Sequence, residues 1–79
     1  MQEFEIRLRS VQDVQEFVAL ATNQAFPILV CNGNHRVNGK SFMEMFCLDF
    51  TRPLIATVDC SDTELDTFRT AVQKFLVGK

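Results

Sequence analysis

Hydrophobic residues change from strand spacing to helix spacing at one serine near the start of the chain. Before Ser10 every second residue is apolar, as a strand over 2–8 with one buried face requires, and these residues are Phe4, Ile6 and Leu8. After Ser10 the apolar residues recur every three or four positions, which predicts an amphipathic helix over about 11–24. Ser10 and Asp13 have capping-box spacing, and Pro27 stops the helix.

Three further strands are predicted in the rest of the chain. They cover 27–31, 34–37 and 54–60, where β-favouring residues predominate. The dipeptide Asn32-Gly33 separates the first two and favours a hairpin with a type I′ turn, because that turn needs positive φ at both central positions.

Two further helices begin at serines that precede a glutamate by three residues, as in a capping box. Ser41 and Glu44 open a short helix of about two turns, and Ser61 and Glu64 open a final helix that runs to the C-terminus. The order β-α-β-β-α-β-α predicts a single α+β domain over 1–79, with a four-stranded antiparallel sheet and three helices on one face. The other face of the sheet is expected to be exposed to solvent, and the residues assigned to it are Glu5, Arg7, Thr57 and Asp59.

Composition excludes several classes of protein. A net charge of −2 argues against nucleic acid as a partner, because phosphate binding needs a surplus of Lys and Arg. No apolar run approaches the roughly 20 residues that span a bilayer, and the N-terminus has no signal-peptide core, so a cytoplasmic protein is expected. The spacing of Cys31, Cys47 and Cys60 fits neither a disulfide framework nor a zinc site, so these cysteines are expected to be small buried hydrophobic residues. No metal and no cofactor are predicted.

The sequence contains no recognisable catalytic motif. The one histidine, His35, lies in the predicted hairpin and is expected to be an exposed polar residue. The three glycines form no phosphate-binding loop, and a single histidine in a hairpin does not define a Ser/His/Asp set. The chain is therefore not expected to be an enzyme.

The short second helix carries more large apolar side chains than one core-facing side can hold. Phe42 and Phe46 share one side of it, and Met45 and Leu48 share another, so one pair is expected to be less buried. An exposed Phe and Met patch usually marks a contact surface, whereas the alternative is a short helix that is buried on all sides. Ser41 is expected to cap this helix, and a modification site is the alternative.

The element order and two long stretches resemble HPr, the histidine-containing phosphocarrier of the bacterial sugar phosphotransferase system. These stretches are NGNHRVNGKSFMEMFCLDF and IATVDCSDTELDTFRTAVQKFL. The resemblance implies an open-faced β-sandwich and a phosphoryl-accepting histidine at the start of the first helix. Ser10 falls at the place of that histidine, Gln12 at that of the family's arginine and Asp13 at that of its proline. Phosphoryl transfer by the histidine route is therefore expected to be absent.

The resemblance also implies a regulatory serine at the start of the second helix, which a dedicated HPr kinase phosphorylates and a catabolite-control regulator then recognises. Ser41 matches this position, and the partner-binding residues that the resemblance implies are Phe42, Met43, Phe46 and Lys40, the last directly before the serine. Glu44 departs from the family, which commonly has a small residue there.

Three functions are consistent with these observations. The first is a non-catalytic regulatory or adaptor protein that uses the Ser41 helix, as in a family variant that keeps the serine and lacks the histidine. The second is a phosphocarrier that uses another residue. The third is a small interaction domain repurposed for an unrelated protein partner.

Overall fold

The computed structural model describes residues 2–49 and 51–77, which form a four-stranded antiparallel sheet with three helices. The strands and helices, in chain order, are β1 (Gln2–Ile6), α1 (Val11–Thr22), β2 (Ile28–Asn32), β3 (His35–Asn38), α2 (Phe42–Met45), β4 (Leu54–Val58) and α3 (Asp62–Ala71). The predicted order and α+β class are confirmed.

The sheet has the strand order β1-β4-β2-β3, and every neighbouring pair is antiparallel. The last strand in the chain, β4, therefore lies in the middle, between β1 and β2. Residues opposite each other in such a sheet project to the same face. Ile6 pairs with Leu54, and Val30 pairs with both Ala56 and Val37, and all five are buried.

The core lies between this sheet face and the helices. Phe68 of α3 is at its centre, and its ring makes edge contacts with Phe4, Phe17 and Phe26 at centroid distances of 5.9–6.1 Å. The chain has no tyrosine or tryptophan, so the phenylalanines of this core leave no polar ring atom to be satisfied. The helices bury one side each, and their fully buried residues are Val14, Phe17, Ala21, Met45 and Phe68, followed by Val72 at the C-cap of α3.

The opposite face of the sheet differs from the prediction at one residue. Glu5 and Asp59 are exposed and Arg7 is half-buried, but Thr57 is only 9% exposed. Thr57 lies in the central strand β4, where its short side chain has the longer side chains of Glu3 on β1 and Leu29 on β2 as direct neighbours.

The hairpin between β2 and β3 is closed by Gly33 and Asn34, because Asn32 pairs with His35. Gly33 has φ +61°, and Asn34, like every other non-glycine residue in the described ranges, has no positive φ. A positive φ at the first central residue alone is the pattern of a type II′ turn, so the prediction of a type I′ turn was wrong.

The last helix ends earlier than predicted. α3 stops at Ala71, and a 3₁₀ turn over Gln73–Phe75 brings Leu76 beside Ile6, where the two form an antiparallel bridge. Two backbone hydrogen bonds flank it, from Arg7 N to Phe75 O at 2.7 Å and from Val77 N to Glu5 O at 3.1 Å. Pairing with β1 takes the chain out of the helix, which side-chain periodicity does not reveal.

The cysteines are less buried than predicted. Cys47 is exposed, and Cys31 and Cys60 are half-buried. The pKa of the Cys60 thiol is raised by partial burial and by the nearby carboxylates of Glu64, Asp59 and Asp62, which keeps it in the less reactive protonated form.

Candidate functional site

The second helix divides its large side chains between the core and solvent. Met45 is fully buried and Leu48 is 6% exposed, whereas Met43 is 81% and Phe46 41% exposed. Phe42 is half-buried and packs against the core. The expectation that one pair would be less buried is thus confirmed. We call Phe42, Met43 and Phe46 the α2 surface.

Phe42 and Phe46 pack against each other across one helical turn. Their ring centroids are 4.4 Å apart and their planes are inclined by 67°. Because Phe42 is anchored on the core, it holds the more exposed Phe46 ring in place. The α2 surface therefore presents one aromatic ring with a fixed support and one flexible methionine.

Ser41 caps α2 as predicted, but the capping box is incomplete. Its Oγ accepts a hydrogen bond from Glu44 N at 3.3 Å. The Glu44 carboxylate accepts from Asn38 N at 3.0 Å instead of from Ser41 N, which donates to Asn38 O. Glu44 therefore ties α2 to the end of β3. The helix proper is also shorter than the two turns predicted, since it ends at Met45.

Lys40 does not reach toward Ser41. Its Nζ donates a hydrogen bond to Gln24 O at 2.8 Å. Gln24 directly follows Asn23, the C-cap of α1, where backbone carbonyls give the helix end a partial negative charge. The ammonium group thereby joins the start of α2 to the end of α1.

Gly39 holds the chain close to β2 just before α2. Its N–H donates to Ile28 O at 2.8 Å, and a Cβ at this position would lie 2.7 Å from Ile28 Cγ2. Asn38 completes the turn by accepting from Lys40 N through its side chain at 2.9 Å. The α2 surface is thus fixed to the sheet by backbone contacts.

The loop after α2 is fixed by a charged group. Asp49 accepts hydrogen bonds from Thr51 N at 2.9 Å and from Thr51 Oγ1 at 2.6 Å, and its carbonyl accepts from Asn32 at 3.2 Å. The hydrogen bonds from Thr51, and to a lesser degree the charge of Arg52, lower the pKa of the Asp49 carboxyl.

Ser10, at the other candidate position, is an exposed helix cap. Its Oγ accepts from Asp13 N at 3.2 Å, and Asp13 Oδ2 accepts from Arg9 N at 2.9 Å. A carboxylate therefore stands where a phosphoryl group would need a cation or a free N–H. His35 lies in β3 and is exposed.

One exposed apolar residue beside Ser10 was missed by sequence reasoning. Val11 is 55% exposed, although its spacing matched the buried side of the helix. It occupies the first helical position, directly after the Ser10 cap. The apolar pattern gives no signal of this.

Two absences apply to the part of the chain that the structure describes. In residues 2–49 and 51–77, no three His, Cys, Asp or Glu side chains come together as a metal site. In the same residues, no helix combines the length and apolar character needed to cross a membrane.

An open antiparallel sheet of order β1-β4-β2-β3 with three helices on one face defines an α+β class that solved structures share. The chain is similar to HPr-C-His from Thermoanaerobacter tengcongensis, with a TM-score of 0.75 and 19% identity over 94% of this chain and 93% of that one. It is also similar to the histidine-containing phosphocarrier protein of Mycoplasma, with a TM-score of 0.74 and 13% identity over 98% of this chain and 100% of that one.

At these identities the likeness establishes the HPr fold. No protein-family model and no curated protein matches the sequence.

Proposed function

We propose that this chain is a non-catalytic, HPr-like adaptor of the phosphotransferase-system family, acting in the cytoplasm and binding protein partners through the α2 surface. The observation that carries the proposal is the exposure of Met43 and Phe46 next to the Ser41 cap. HPr-like proteins work by docking on protein partners, and the resemblance to them implies that these residues belong to a partner-binding patch.

The chemistry of the α2 surface supports a protein partner. Exposed Phe and Met side chains are unusual on a small soluble domain and are enriched where proteins meet. Methionine adapts its shape to a partner, whereas the Phe46 ring, supported by Phe42, offers a preformed anchor. Lys40 lies at the edge of the surface but is held by Gln24 O, so we expect it to position α2 more than to contact the partner.

The environment of Ser10 argues against a phosphocarrier. A phosphoryl group needs an imidazole as acceptor and nearby cations or N–H donors to stabilise its charge. Ser10 offers a hydroxyl that already accepts from Asp13 N, and the Asp13 carboxylate would repel phosphate. His35 is an exposed residue of β3 without such a setting, so phosphocarriage through another residue is the weaker alternative.

Phosphorylation of Ser41 is the regulatory part of the proposal. A phosphate on Ser41 Oγ would bring about two negative charges to a residue hydrogen-bonded to Glu44 N, next to the Glu44 carboxylate. Repulsion would push that carboxylate away from Asn38 N and loosen the tie between α2 and β3. The modification would thereby change the α2 surface itself.

Two phosphorylation reactions read by intact-mass spectrometry test this function. One contains the phosphotransferase donor enzyme and phosphoenolpyruvate, the other HPr kinase and ATP, and a histidine-containing HPr is the positive control. We expect the protein to gain one phosphate in the kinase reaction and none in the phosphoenolpyruvate reaction. Ser41→Ala should gain none in either reaction. Glu44→Gln should be phosphorylated faster by the kinase, because the repelling charge is removed. Phosphate taken up from phosphoenolpyruvate would show that the protein is a carrier, and an unmodified protein in both reactions would refute the Ser41 switch.

Docking is tested separately by measuring the affinity of a catabolite-control regulator and of HPr kinase. Met43→Ser and Phe46→Ser are expected to weaken binding at least about tenfold, as loss of an exposed anchor does. Ile55→Ser is the control matched to Phe46→Ser, because Ile55 is an apolar residue of similar exposure (36% against 41% for Phe46) on the sheet face. Equal losses in the three variants, or no binding by the unmodified and the phosphorylated protein, would leave the third hypothesis, an interaction domain with an unrelated partner.

A further inference from the structure

The sheet face that the helices leave uncovered carries a row of four directly paired residues, one from each strand. Glu5 pairs with Ile55, Ile55 with Cys31, and Cys31 with Arg36. From β1 to β3 the row therefore reads acidic, apolar, apolar, basic. Glu5, Ile55 and Arg36 are exposed and Cys31 is half-buried.

The two charges of this row cannot satisfy each other within one molecule. They lie on the two edge strands, three strand spacings or about 14 Å apart. In residues 2–49 and 51–77 the ion pair that forms joins Lys74 and Glu16, on other elements. Glu5 and Arg36 thus present opposite charges to solvent at the two sides of an apolar strip.

We infer that this face binds a second copy of the same chain, with the two copies related by a two-fold axis parallel to the strands. That axis places β1 of one copy over β3 of the other, so Glu5 meets Arg36 of the second copy twice. It also places each Ile55 over Cys31 of the other copy. An isologous contact needs such self-complementarity, because the same surface serves on both sides.

The neighbouring row agrees with the same axis. Glu3, Thr57, Leu29 and Asn38 are paired in that order across the sheet. The axis puts Glu3 over Asn38 and Thr57 over Leu29, so no like charges meet. A two-fold axis perpendicular to the strands would instead place β1 over β1 and bring acidic residues together, which disfavours association.

The size of the face makes the dimer weak. Four strands about 4.8 Å apart, each of four or five residues at about 3.3 Å per residue, cover roughly 300 Å² per copy, or roughly 600 Å² in total. Stable interfaces bury at least about 1,000 Å². We therefore expect a concentration-dependent dimer that forms at high protein concentration and weakens with added salt.

Analytical ultracentrifugation over a concentration series up to the millimolar range at low salt tests the proposal with charge-reversal variants. Arg36→Glu and Glu5→Arg should each raise the dimer dissociation constant, by about tenfold, because two pairs become repulsive. An equimolar mixture of the two variants should associate at least as well as the wild type, since every cross-pair is again of opposite sign. The double variant Glu5→Arg/Arg36→Glu should recover in the same way, with unchanged net charge. Asp66→Arg, an exposed charge reversal on α3, is the control and should not change the constant.

Each other outcome overturns the inference. A wild-type protein that stays monomeric throughout the series leaves this face to a different partner or to solvent. Two single variants that fail to recover on mixing contradict the axis. Association that is lost in Met43→Ser but kept in Arg36→Glu would locate the contact on the α2 surface. Partner binding at the α2 surface is measured by the separate affinity assay, so failure of either proposal leaves the other intact.

Discussion

Replacing Gly39 with alanine tests how closely the segment before α2 packs on β2. The added Cβ would lie 2.7 Å from Ile28 Cγ2, 3.2 Å from Ile28 O and 3.3 Å from Val30 Cγ2. Carbon atoms pack at about 3.5–4.0 Å, so the backbone or Ile28 has to move by about 0.8 Å or more. Glycine is required here for this close approach and not for a positive φ, which among the described glycines occurs at Gly33.

Overpacking of a well-packed site costs about 1–3 kcal/mol, and a domain of this length has a total stability of roughly 4–12 kcal/mol. We expect Gly39→Ala to lose about 2 kcal/mol of unfolding free energy, or about 8–16 °C in Tm. Urea unfolding followed by far-UV circular dichroism measures it. Gly39 N donates to Ile28 O in the native protein, so the same shift would also loosen α2.

A double-mutant cycle identifies the cause. Ile28→Leu removes the Cγ2 methyl that causes the closest clash and nearly conserves volume, so alone it should cost less than about 1.5 kcal/mol. Gly39→Ala combined with Ile28→Leu should then lose less than the sum of the two single changes. Strictly additive losses, or a Gly39→Ala protein as stable as the wild type, would refute the steric explanation.

Three further predictions concern α2, its loop and α3. Met43→Ser should change the unfolding free energy by less than about 0.5 kcal/mol, whereas Met45→Ala should cost about 2–5 kcal/mol, and equal effects in urea titrations would contradict the assigned orientation of α2. The pKa of Asp49 is lowered in the folded protein, so its ionised carboxylate stabilises the fold above the ordinary pKa near 3.8, and this stability is lost as the pH falls through the folded-state pKa. Urea midpoints of Asp49→Asn should therefore fall less than those of the wild type on acidification. Parallel curves for the two proteins would argue against this contribution of Asp49. Ser61→Ala breaks a complete capping box and should cost about 1 kcal/mol by the same titration, with a neutral result showing that α3 does not need its cap.

Most of the fold could be predicted from hydrophobic spacing because the strands and helices bury one side each. The alternation of Ile6 with Glu5, and the helical repeat through Val14 and Phe17, are direct consequences of packing against one core. The early end of α3 could not be predicted, since the pairing of Leu76 with Ile6 depends on the position of a strand more than sixty residues earlier. Spacing carries no information on such distant backbone hydrogen bonds.

The candidate site was predictable in its side chains and not in its polar contacts. The crowding of Phe42, Phe46, Met45 and Leu48 on a short helix already implied that some would be exposed, and the structure shows which. Two hydrogen bonds, from Lys40 Nζ to Gln24 O and from Asn38 N to the Glu44 carboxylate, depend on how α1 and β3 lie next to α2. A capping-box pattern could not separate Ser41 from Ser61, although only Ser61 forms the complete box.

The two edges of the sheet are protected against aggregation in different ways. An unpaired edge strand is a template for another chain, and proteins blunt such edges by covering or shortening them. The backbone of residues 75–77 covers the end of β1 through the Ile6–Leu76 bridge. The edge strand β3 is only four residues long, and three of the four are polar: His35, Arg36 and Asn38. A change that detached Leu76 from β1 would therefore be expected to promote strand-to-strand aggregation before it unfolded the core.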